Sequence, residues 1–250
     1  MTVAGRIVSR RDLSSRRRDE MFRLMTRHYE SIRRDEFEAD LGEKEWVLEV
    51  VETETDTLCG FSTQMLLETE VGGGTVRALY SGDTIVDPAY WHRNPLAALW
   101  GRLALDLIDR FDGETLHWFL ISKGYKTYRF LPVFFHEFYP RYDCPTPQDA
   151  AMLIDAFAHR KFGIAYDATR RVVPASADGC RLRPGIAALT PERMHDPHVA
   201  FFAARNPGHA AGDELCCLAP LTRRNFTTAA WKVIGEAASP VETPVSVLAR

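Results

Sequence analysis

The sequence has no long hydrophobic run, no recognisable leader segment and little net charge. No apolar run approaches the roughly 20 residues that a helix needs to span a bilayer. The start, MTVAGRIVSRR, lacks the apolar centre of a signal peptide. A formal net charge of -3 gives no overall reason to expect a nucleic-acid partner. We therefore expect a soluble, cytoplasmic protein with neither membrane nor nucleic acid as partner.

The chain has five cysteines, an odd number without a CxxC pair: Cys59, Cys144, Cys180, Cys216 and Cys217. This usage favours a reducing compartment over a disulfide framework. His195, His198 and His209 lie near two of them in sequence, but the segment HDPH is a poor substitute for a zinc clamp. We therefore expect no metal. A nucleophilic pair such as Cys144 with His136 stays open, because catalytic partners need not be close in sequence.

Charge is unevenly distributed in a chain of 250 residues, which is long enough for one large domain or two small ones. Residues 1–34 hold ten Arg against four acids, whereas residues 35–70 hold twelve acids against one Lys. Such asymmetry can mark a surface for an anionic partner. The simpler interpretation is a solvated N-terminal arm followed by a helix.

Periodicity predicts an initial helix, a sheet and a second helix. One helical face collects Met21, Leu24, Met25, His28 and Ile32. The acidic stretch RRDEFEADLGEKE predicts a loop or a frayed helix. Three strands, EWVLEVVE, TLCGFSTQMLLETEV and TVRALYSGDTIVD, predict an antiparallel meander over residues 45–87, with a reversal at the glycines. A helix over 95–111 carries the apolar stripe Leu96, Leu99, Trp100, Leu103, Leu107 and Ile108.

The second half of the chain predicts fewer regular elements. TLHWFLIS predicts a buried strand, and Pro132 would end or kink any helix in the aromatic run RFLPVFFHEFYP. Part of that run belongs to the core, and its remaining aromatic residues could line a channel for an acyl chain or an aromatic acceptor. PTPQDAAMLIDAFAHRKFG predicts a helix ending at Gly163, and residues 173–198 a surface loop. HVAFFAARN predicts a short helix, and ELCCLAPL predicts a strand. RNPGHAAGDELC predicts an ordered loop, and SPVETPVSVLAR predicts a flexible end.

The stretch VDPAYWHRNPLAALW resembles a phosphate-binding turn without its glycines. A helix start exposes about four unpaired N–H groups and the positive end of a dipole, which together bind phosphate. Glycine lets the backbone approach an anion closely. Asn94 tolerates a left-handed conformation, and Pro95 suits the first helical turn. His92 and Arg93 add cationic chemistry beside the helix start.

The order of elements resembles the Gcn5-related N-acetyltransferase (GNAT) superfamily over roughly residues 18–135. Those proteins end the fourth strand in a Val-x-Pro-x-Tyr-like sequence, and Val86, Pro88 and Tyr90 match it in type and spacing. The helix start Leu-Ala-Ala-Leu matches as well. Trp91 stands where the superfamily has Arg or Gln, and its two glycine positions are Asn94 and Leu96 here. The last hundred residues match no family that we can name.

The resemblance implies a mixed α/β (α+β) fold with a central, mostly antiparallel twisted sheet flanked by helices. Residues 1–144 would form the GNAT-like core, and residues 145–250 a C-terminal extension that packs on it and shapes the acceptor pocket. The implied activity is N-acyl transfer from acyl-CoA, or from a phosphopantetheine-linked thioester on an acyl carrier protein, to a small-molecule or peptide amine, for example in specialised metabolism. The N-terminal arginines could then meet the acidic carrier. Oligomeric state is not indicated.

The resemblance also assigns the donor-binding residues. They lie at the strand end, the turn, the helix start and the end of the next strand: Val86, Trp91, His92, Arg93, Asn94, Leu96, Ala97 and Lys123, with Lys126 as an alternative to Lys123. A second interpretation keeps only the scaffold, as a non-catalytic binding or structural module. In that case the side chains of Trp91 and Leu96 occupy the pyrophosphate niche.

Acyl transfer to an amine needs a base and a proton for the leaving thiolate. Asp83, within YSGDTIV, is either a hydrogen-bonded structural residue or the base that faces the amine. Glu68 shares a strand face with Glu70 and either attracts a cationic amine or lies at a solvated strand end. His117 suits a base or a satisfied core position. By resemblance the acid is Tyr128, with Tyr125 as the alternative. Each tyrosine could equally be a buried amphipathic filler.

Overall fold

The computed structural model describes residues 2–93, 95–111, 116–176, 179–183 and 188–236. The strands are β1 Val3–Ser9, β2 Tyr29–Glu30, β3 Trp46–Glu52, β4 Leu58–Val71, β5 Gly74–Val86, β6 Leu116–Ser122, β7 Val172–Val173, β8 Arg181–Leu182 and β9 Glu214–Pro220. The helices are α1 Ser15–His28, α2 Arg34–Glu43, α3 Leu96–Arg110, α4 Tyr125–Tyr128, α5 Phe130–Phe134, α6 Gln148–Phe162, α7 Pro191–Met194, α8 Pro197–Arg205 and α9 Thr228–Glu236.

Seven strands form one sheet in the order β1-β3-β4-β5-β6-β9-β7. Every neighbouring pair is antiparallel except β5 and β6, which are parallel. A parallel pair needs a crossover connection, and α3 supplies it. The small strands β2 and β8 pair separately, which ties the end of α1 to a segment late in the chain.

The predicted meander is confirmed as β3, β4 and β5. Gly72 and Gly73 adopt φ values of 61° and 83° at the reversal between β4 and β5. This is the left-handed region that glycine enters without a steric penalty. The glycine run therefore fixes the position of the hairpin.

Helices cover both faces of the sheet, because side chains alternate between the faces along each strand. The predicted stripe of α3 packs on one face, where Leu99, Leu103 and Leu107 are buried with strand residues such as Leu48 and Leu79. The predicted face of α1 packs on the other side, together with α2. Further along that side, α6 covers β4 and β9.

The prediction of a solvated N-terminal arm is wrong. Residues 3–9 form the edge strand β1, which pairs with β3 from Val3↔Glu52 to Ser9↔Trp46 and buries Ile7. The acidic stretch expected as loop or frayed helix contains α2. The charge asymmetry is satisfied largely within the fold: Arg6 and Arg17 both pair with the buried Glu49.

The C-terminal half completes the same sheet. The helix predicted to end at Gly163 is confirmed as α6, and Gly163 has a φ of 56°. The strand predicted from ELCCLAPL is β9, which lies between β6 and β7. Residues on both sides of the predicted boundary at 144/145 therefore contribute to one sheet. The predicted flexible end, residues 239–250, lies outside the described residues.

Candidate active site

The parallel strands β5 and β6 stop pairing before either of them ends. Their ladder runs from Arg77↔Leu116 to Ser81↔Leu120. Beyond it, β5 continues to Val86 while its other edge stays paired with β4, and β6 stays paired with β9 through Ser122. We call the opening between residues 82–86 and 121–123 the splay. Within the splay, the edges of β5 and β6 that face each other are not paired with each other.

A chain of buried polar side chains holds the strands where they part. On the α3 face, Trp118 Nε1 donates to Ser81 Oγ (2.9 Å), and Ser81 Oγ donates to Gln64 Oε1 (2.6 Å). Gln64 Nε2 donates to Ser62 Oγ (2.7 Å), which lies 2.7 Å from Thr84 Oγ1. Buried polar groups need such partners. The chain, which the sequence analysis missed, links β4, β5 and β6 at the apex of the splay.

Asp83 lies on the β5 arm of the splay, on the side covered by α1 and α2. Its carboxylate is half-buried and makes no hydrogen bond or ion pair among the described residues. Burial and the neighbouring Asp40 raise the pKa of Asp83 to about 6, against the opposing charges of Lys44 and Lys123. A carboxyl group with this pKa can take up and release a proton near neutral pH.

Other ionisable groups around Asp83 are paired with each other. The Lys44 ammonium is buried and bonds Asp40 at 2.5 Å, and Lys123 Nζ lies 3.6 Å from Glu214 Oε1. Burial lowers the pKa of Lys44, whereas Glu214 raises the pKa of Lys123 against the effect of burial. Asp83 is therefore the acid in this group without a cationic partner of its own among the described residues.

Residues from the late part of the chain border this side of the splay. Tyr29 and Glu30 pair with Leu182 and Arg181, and the ring centre of Tyr29 lies 5.7 Å from Lys123 Nζ. Burial raises the pKa of the Cys180 thiol to about 11, so the thiol is protonated near neutral pH. The loop predicted from RNPGHAAGDELC is fixed to the β6 end of the splay.

Two features fix that loop. The buried Asn206 donates through Nδ2 to the carbonyl oxygens of Ser122 (3.3 Å) and Asp213 (2.8 Å). Gly212 has a φ of 107°, and a side chain there would meet the carbonyl oxygen of Cys180 at 3.3 Å. The loop thus borders the splay rather than only capping the sheet.

The predicted phosphate turn is a 3-10 turn over residues 88–93. Asp87 begins it by accepting from the N–H of Ala89 (3.0 Å). Trp91, 44% exposed, donates from Nε1 to the carbonyl oxygen of Val86 (2.8 Å), and Lys126 Nζ lies 4.4 Å from its ring centre. Trp91 therefore links the end of β5 to α4 across the mouth of the splay.

Leu96 does not fill the niche at the start of α3. Its side chain is buried in the core with Leu99 and Trp100. The Leu96 side chain therefore does not cover the backbone at the start of α3. Asn94 and the side chains of His92 and Arg93, also expected at this site, lie outside the described residues.

The other predicted catalytic residues lie apart from Asp83. Glu68 is an exposed residue near the β4–β5 hairpin and accepts from Arg77 Nε (2.5 Å). His117 lies at the start of β6, opposite Ala78, where its ring packs against Phe157. Burial lowers the pKa of His117 to about 4, so it is neutral at physiological pH.

Tyr128 is fully buried among aromatic residues of α8 and the aromatic run. Its hydroxyl donates to the carbonyl oxygen of Pro140 (2.9 Å), and burial raises its pKa. No described contact joins it to Asp83. Tyr125 lies at the start of the same helix, under the guanidinium of Arg193. Its role as acid stays a prediction, like that of Tyr128.

The aromatic run divides between core and surface. Leu131, Phe135 and Phe138 are buried, whereas Phe130 and Val133 are among the most exposed large hydrophobic residues of the described chain. The exposed part borders an open groove of about 300 Å³ lined by Tyr125, Lys126, Arg129, Phe130, Val133, Phe134 and Arg193. We call it the α4–α5 groove.

The chain is similar to three solved structures of acyltransferases. A probable N-acyltransferase from Enterococcus faecalis V583 is 15% identical, with a TM-score of 0.42 over 55% of this chain and 33% of that one. The GNAT family N-acetyltransferase YhbS from Escherichia coli, in complex with CoA, is 14% identical, with a TM-score of 0.37 over 52% and 68%. The ribosomal-protein-S18-alanine N-acetyltransferase from Escherichia coli is 12% identical, with a TM-score of 0.40 over 88% and 95%.

The chain spans about a third of the length of the Enterococcus protein. No known family matches the sequence, and no curated protein matches it. The order and pairing of the elements agree with those that the sequence resemblance implies. Helices α1 and α2, the antiparallel meander β3–β5, and α3, which connects the meander to the parallel strand β6, follow one another in the predicted order. The predicted mixed α/β class with a mostly antiparallel sheet is confirmed. Among the described residues, no helix is long and apolar enough to cross a membrane.

Proposed function

We propose that the protein is an N-acyltransferase that moves an acyl group from a thioester donor, acyl-CoA or a carrier-bound phosphopantetheine thioester, to an amine. The observation that carries the proposal is Asp83, an unpaired carboxylate on one arm of the splay. An uncompensated buried carboxylate lowers stability, and pKa values raised in this way cluster at functional sites. A small-molecule or peptide amine supplies the missing cation.

In the proposed reaction the donor thioester lies in the splay and the acceptor reaches it from the α1–α2 side. Asp83 takes a proton from the ammonium group of the acceptor. The amine nitrogen then attacks the thioester carbonyl carbon, the C–N bond forms, the C–S bond breaks, and the excess proton on nitrogen is lost to water. The leaving thiolate takes a proton that we assign to the Lys123 ammonium instead of Tyr128 or Tyr125, because Lys123 lies on the β6 arm. The proton on Asp83 then restores Lys123.

The donor arm would lie along the free edge of β5 from Gly82 to Val86. Holding reactants in one geometry accounts for much of the acceleration in reactions that need little covalent chemistry from the protein. The phosphate of the donor would approach the start of α3 at Ala97 and the turn that carries Trp91. Cys216 and Cys217, both buried as free thiols, support a reducing, cytoplasmic setting.

The test is acyl transfer by wild-type protein and by Asp83→Asn, with acetyl-CoA, longer acyl-CoAs and acyl-phosphopantetheine against a panel of primary amines. We expect acyl-amide product from the wild type and a decrease in kcat of at least about 100-fold in Asp83→Asn. Asp106→Asn is the matched control, because Asp106 also has a raised pKa but lies exposed on α3. Full activity in Asp83→Asn would remove Asp83 from the mechanism.

Trp91 favours a second candidate function, a non-catalytic module on the same scaffold. Its indole N–H already donates a hydrogen bond to the carbonyl oxygen of Val86 at the mouth of the splay. Thermal shifts of wild type and Trp91→Ala with CoA and acyl-CoA separate the two. A ligand at one hundred times its Kd adds about 2.7 kcal/mol to the unfolding free energy. Binding by the variant alone, with no product from any donor, would favour the module.

A further inference from the structure

Exposed hydrophobic residues line the α4–α5 groove or neighbour its lining residues. Phe130 and Val133 lie on the groove, Met194 follows the lining residue Arg193, and Trp91 contacts the lining residue Lys126. All four are among the large hydrophobic residues that the described chain exposes. Apolar side chains gathered in one place on a surface mark an interaction site.

The rim of this groove is cationic. Lys126, Arg129 and Arg193 line it, and acidic residues are absent from its described lining. Arg129 pairs with Asp196, whereas the guanidinium of Arg193 makes no ion pair among the described residues and lies 6.0 Å from the Tyr125 ring. Partial burial, and after it the charge on Arg193, lower the pKa of Lys126. Lys126 and Arg193 thus place two cations near apolar side chains, which makes the groove complementary to an anionic partner with apolar side chains.

The groove lies next to the entrance of the splay. Lys126 belongs to α4, which follows β6, and its ammonium lies over Trp91, whose indole bonds the last residue of β5. A donor held in the groove can therefore pass its arm by Trp91 into the splay. Several of the N-terminal arginines are instead paired within the fold, because Arg16, Arg17, Arg18 and Arg34 bond acids of the same chain.

We propose that the α4–α5 groove docks the acidic acyl carrier protein that delivers the thioester, a proposal that rests on the proposed function. An acidic carrier helix covers Phe130 and Val133 with apolar side chains and places carboxylates against Lys126 and Arg193. Its phosphopantetheine arm enters the splay past Trp91. The groove thus determines the donor, because the carrier contributes contacts that free CoA lacks.

The experiment compares wild type, Arg193→Glu and Phe130→Ala. Binding of a fluorescently labelled holo acyl carrier protein from a bacterial fatty-acid synthase is measured by anisotropy at 50 and 300 mM salt. We expect Arg193→Glu to weaken binding at low salt at least tenfold, Phe130→Ala to weaken it severalfold, and salt to weaken wild-type binding. Arg160→Glu is the control of equal charge, because Arg160 is exposed on α6 across the sheet.

Turnover separates the carrier from other occupants of the groove. We expect Arg193→Glu to lower kcat/KM for the acyl-carrier donor at least tenfold and to change that for acyl-phosphopantetheine less than twofold. An equal loss with acyl-CoA would assign the groove to the nucleotide part of CoA and overturn the proposal. Carrier binding by Arg193→Glu as tight as that of the wild type would also overturn it. Carrier binding that depends on Arg193, without product from any donor, would support the docking surface and refute the transferase activity instead.

Discussion

At the scale of single residues, Asp83 is a half-buried carboxylate without an ion pair among the described residues, an arrangement that ordinarily costs stability. Nearby cations are paired with other acids: Lys44 with Asp40, and Lys123 with Glu214. Charged groups placed in this way persist where function needs them, because natural proteins tolerate local strain at their sites. Asp83 could be singled out in the sequence because a carboxylate inside an apolar strand is rare.

The first prediction concerns the pH dependence of activity. The base must be ionised to accept a proton, and the pKa of Asp83 is raised to about 6. We expect kcat/KM to increase as pH rises through about 6 and to level off above it, until the acceptor amine adds its own dependence. A pH–rate profile with one acceptor checks this. A profile that is flat between pH 5 and 7 would contradict it.

The second prediction concerns stability. The folded pKa of Asp83 is above its ordinary value of 3.8, so the native state binds the proton more tightly than the unfolded chain. Stability is therefore lost as pH rises from about 4 to 6. A rise to about 6 corresponds to about 3 kcal/mol. We expect Asp83→Asn to be more stable than wild type by about 2–3 kcal/mol at pH 7.5 and by little at pH 4, measured by urea unfolding. Lower stability of the variant at pH 7.5 would show that Asp83 is structural.

The partners of Asp83 could not be predicted from the sequence. Lys44 precedes the meander, and Glu214 is 131 positions later than Asp83 in the numbering. Only the folded sheet places them on one side of the splay. The contacts of Trp91 were equally hidden, because they depend on how the 3-10 turn enters α3. The burial of Leu96 followed from its place in the apolar stripe of α3.

At the scale of elements, long periodic segments were predictable and short or mixed ones were not. The stripes of α1 and α3 and the meander were confirmed, because one buried face imposes a regular spacing on each. β1 was missed because its residues are mostly half-buried at the sheet edge, where apolar alternation is weak. α9 was missed although its Ile234 packs closely on Gly101 of α3.

The third prediction tests that close packing. A Cβ on Gly101 of α3 would overlap Ile234 Cγ1 of α9. Alanine ordinarily stabilises a helix interior by about 1 kcal/mol relative to glycine. Here we expect Gly101→Ala to destabilise by about 1–3 kcal/mol, because Ile234 must shift out of a packed contact. Gly42→Ala in α2 is the control, since its Cβ would meet nothing within 4 Å. We expect it to stabilise by about 0.5–1 kcal/mol in the same unfolding assay.

At the scale of the whole molecule, the charges that are unevenly distributed along the sequence form ion pairs with each other in the fold. Arginines of the first 34 residues meet acids of the following stretch: Arg6 and Arg17 bond Glu49, and Arg34 bonds Glu38. Composition alone allowed either this outcome or a surface for an anionic partner. Sequence position did not decide between them, because pairing depends on the register of β1 on β3.

The last prediction concerns the chain as a folding unit. The boundary predicted at 144/145 separates β6 from β9, although the two pair from His117↔Pro220 to Ser122↔Leu215. Removing β9 would expose the edge of β6 and the partners of Cys216, Cys217 and Leu218, which are almost fully buried on the two faces. Uncovered hydrophobic edge strands aggregate. We expect residues 1–144 expressed alone to be insoluble, and residues 1–236 to fold and unfold in one cooperative transition. A monomeric 1–144 fragment with its own cooperative transition would show that the predicted core is an independent domain.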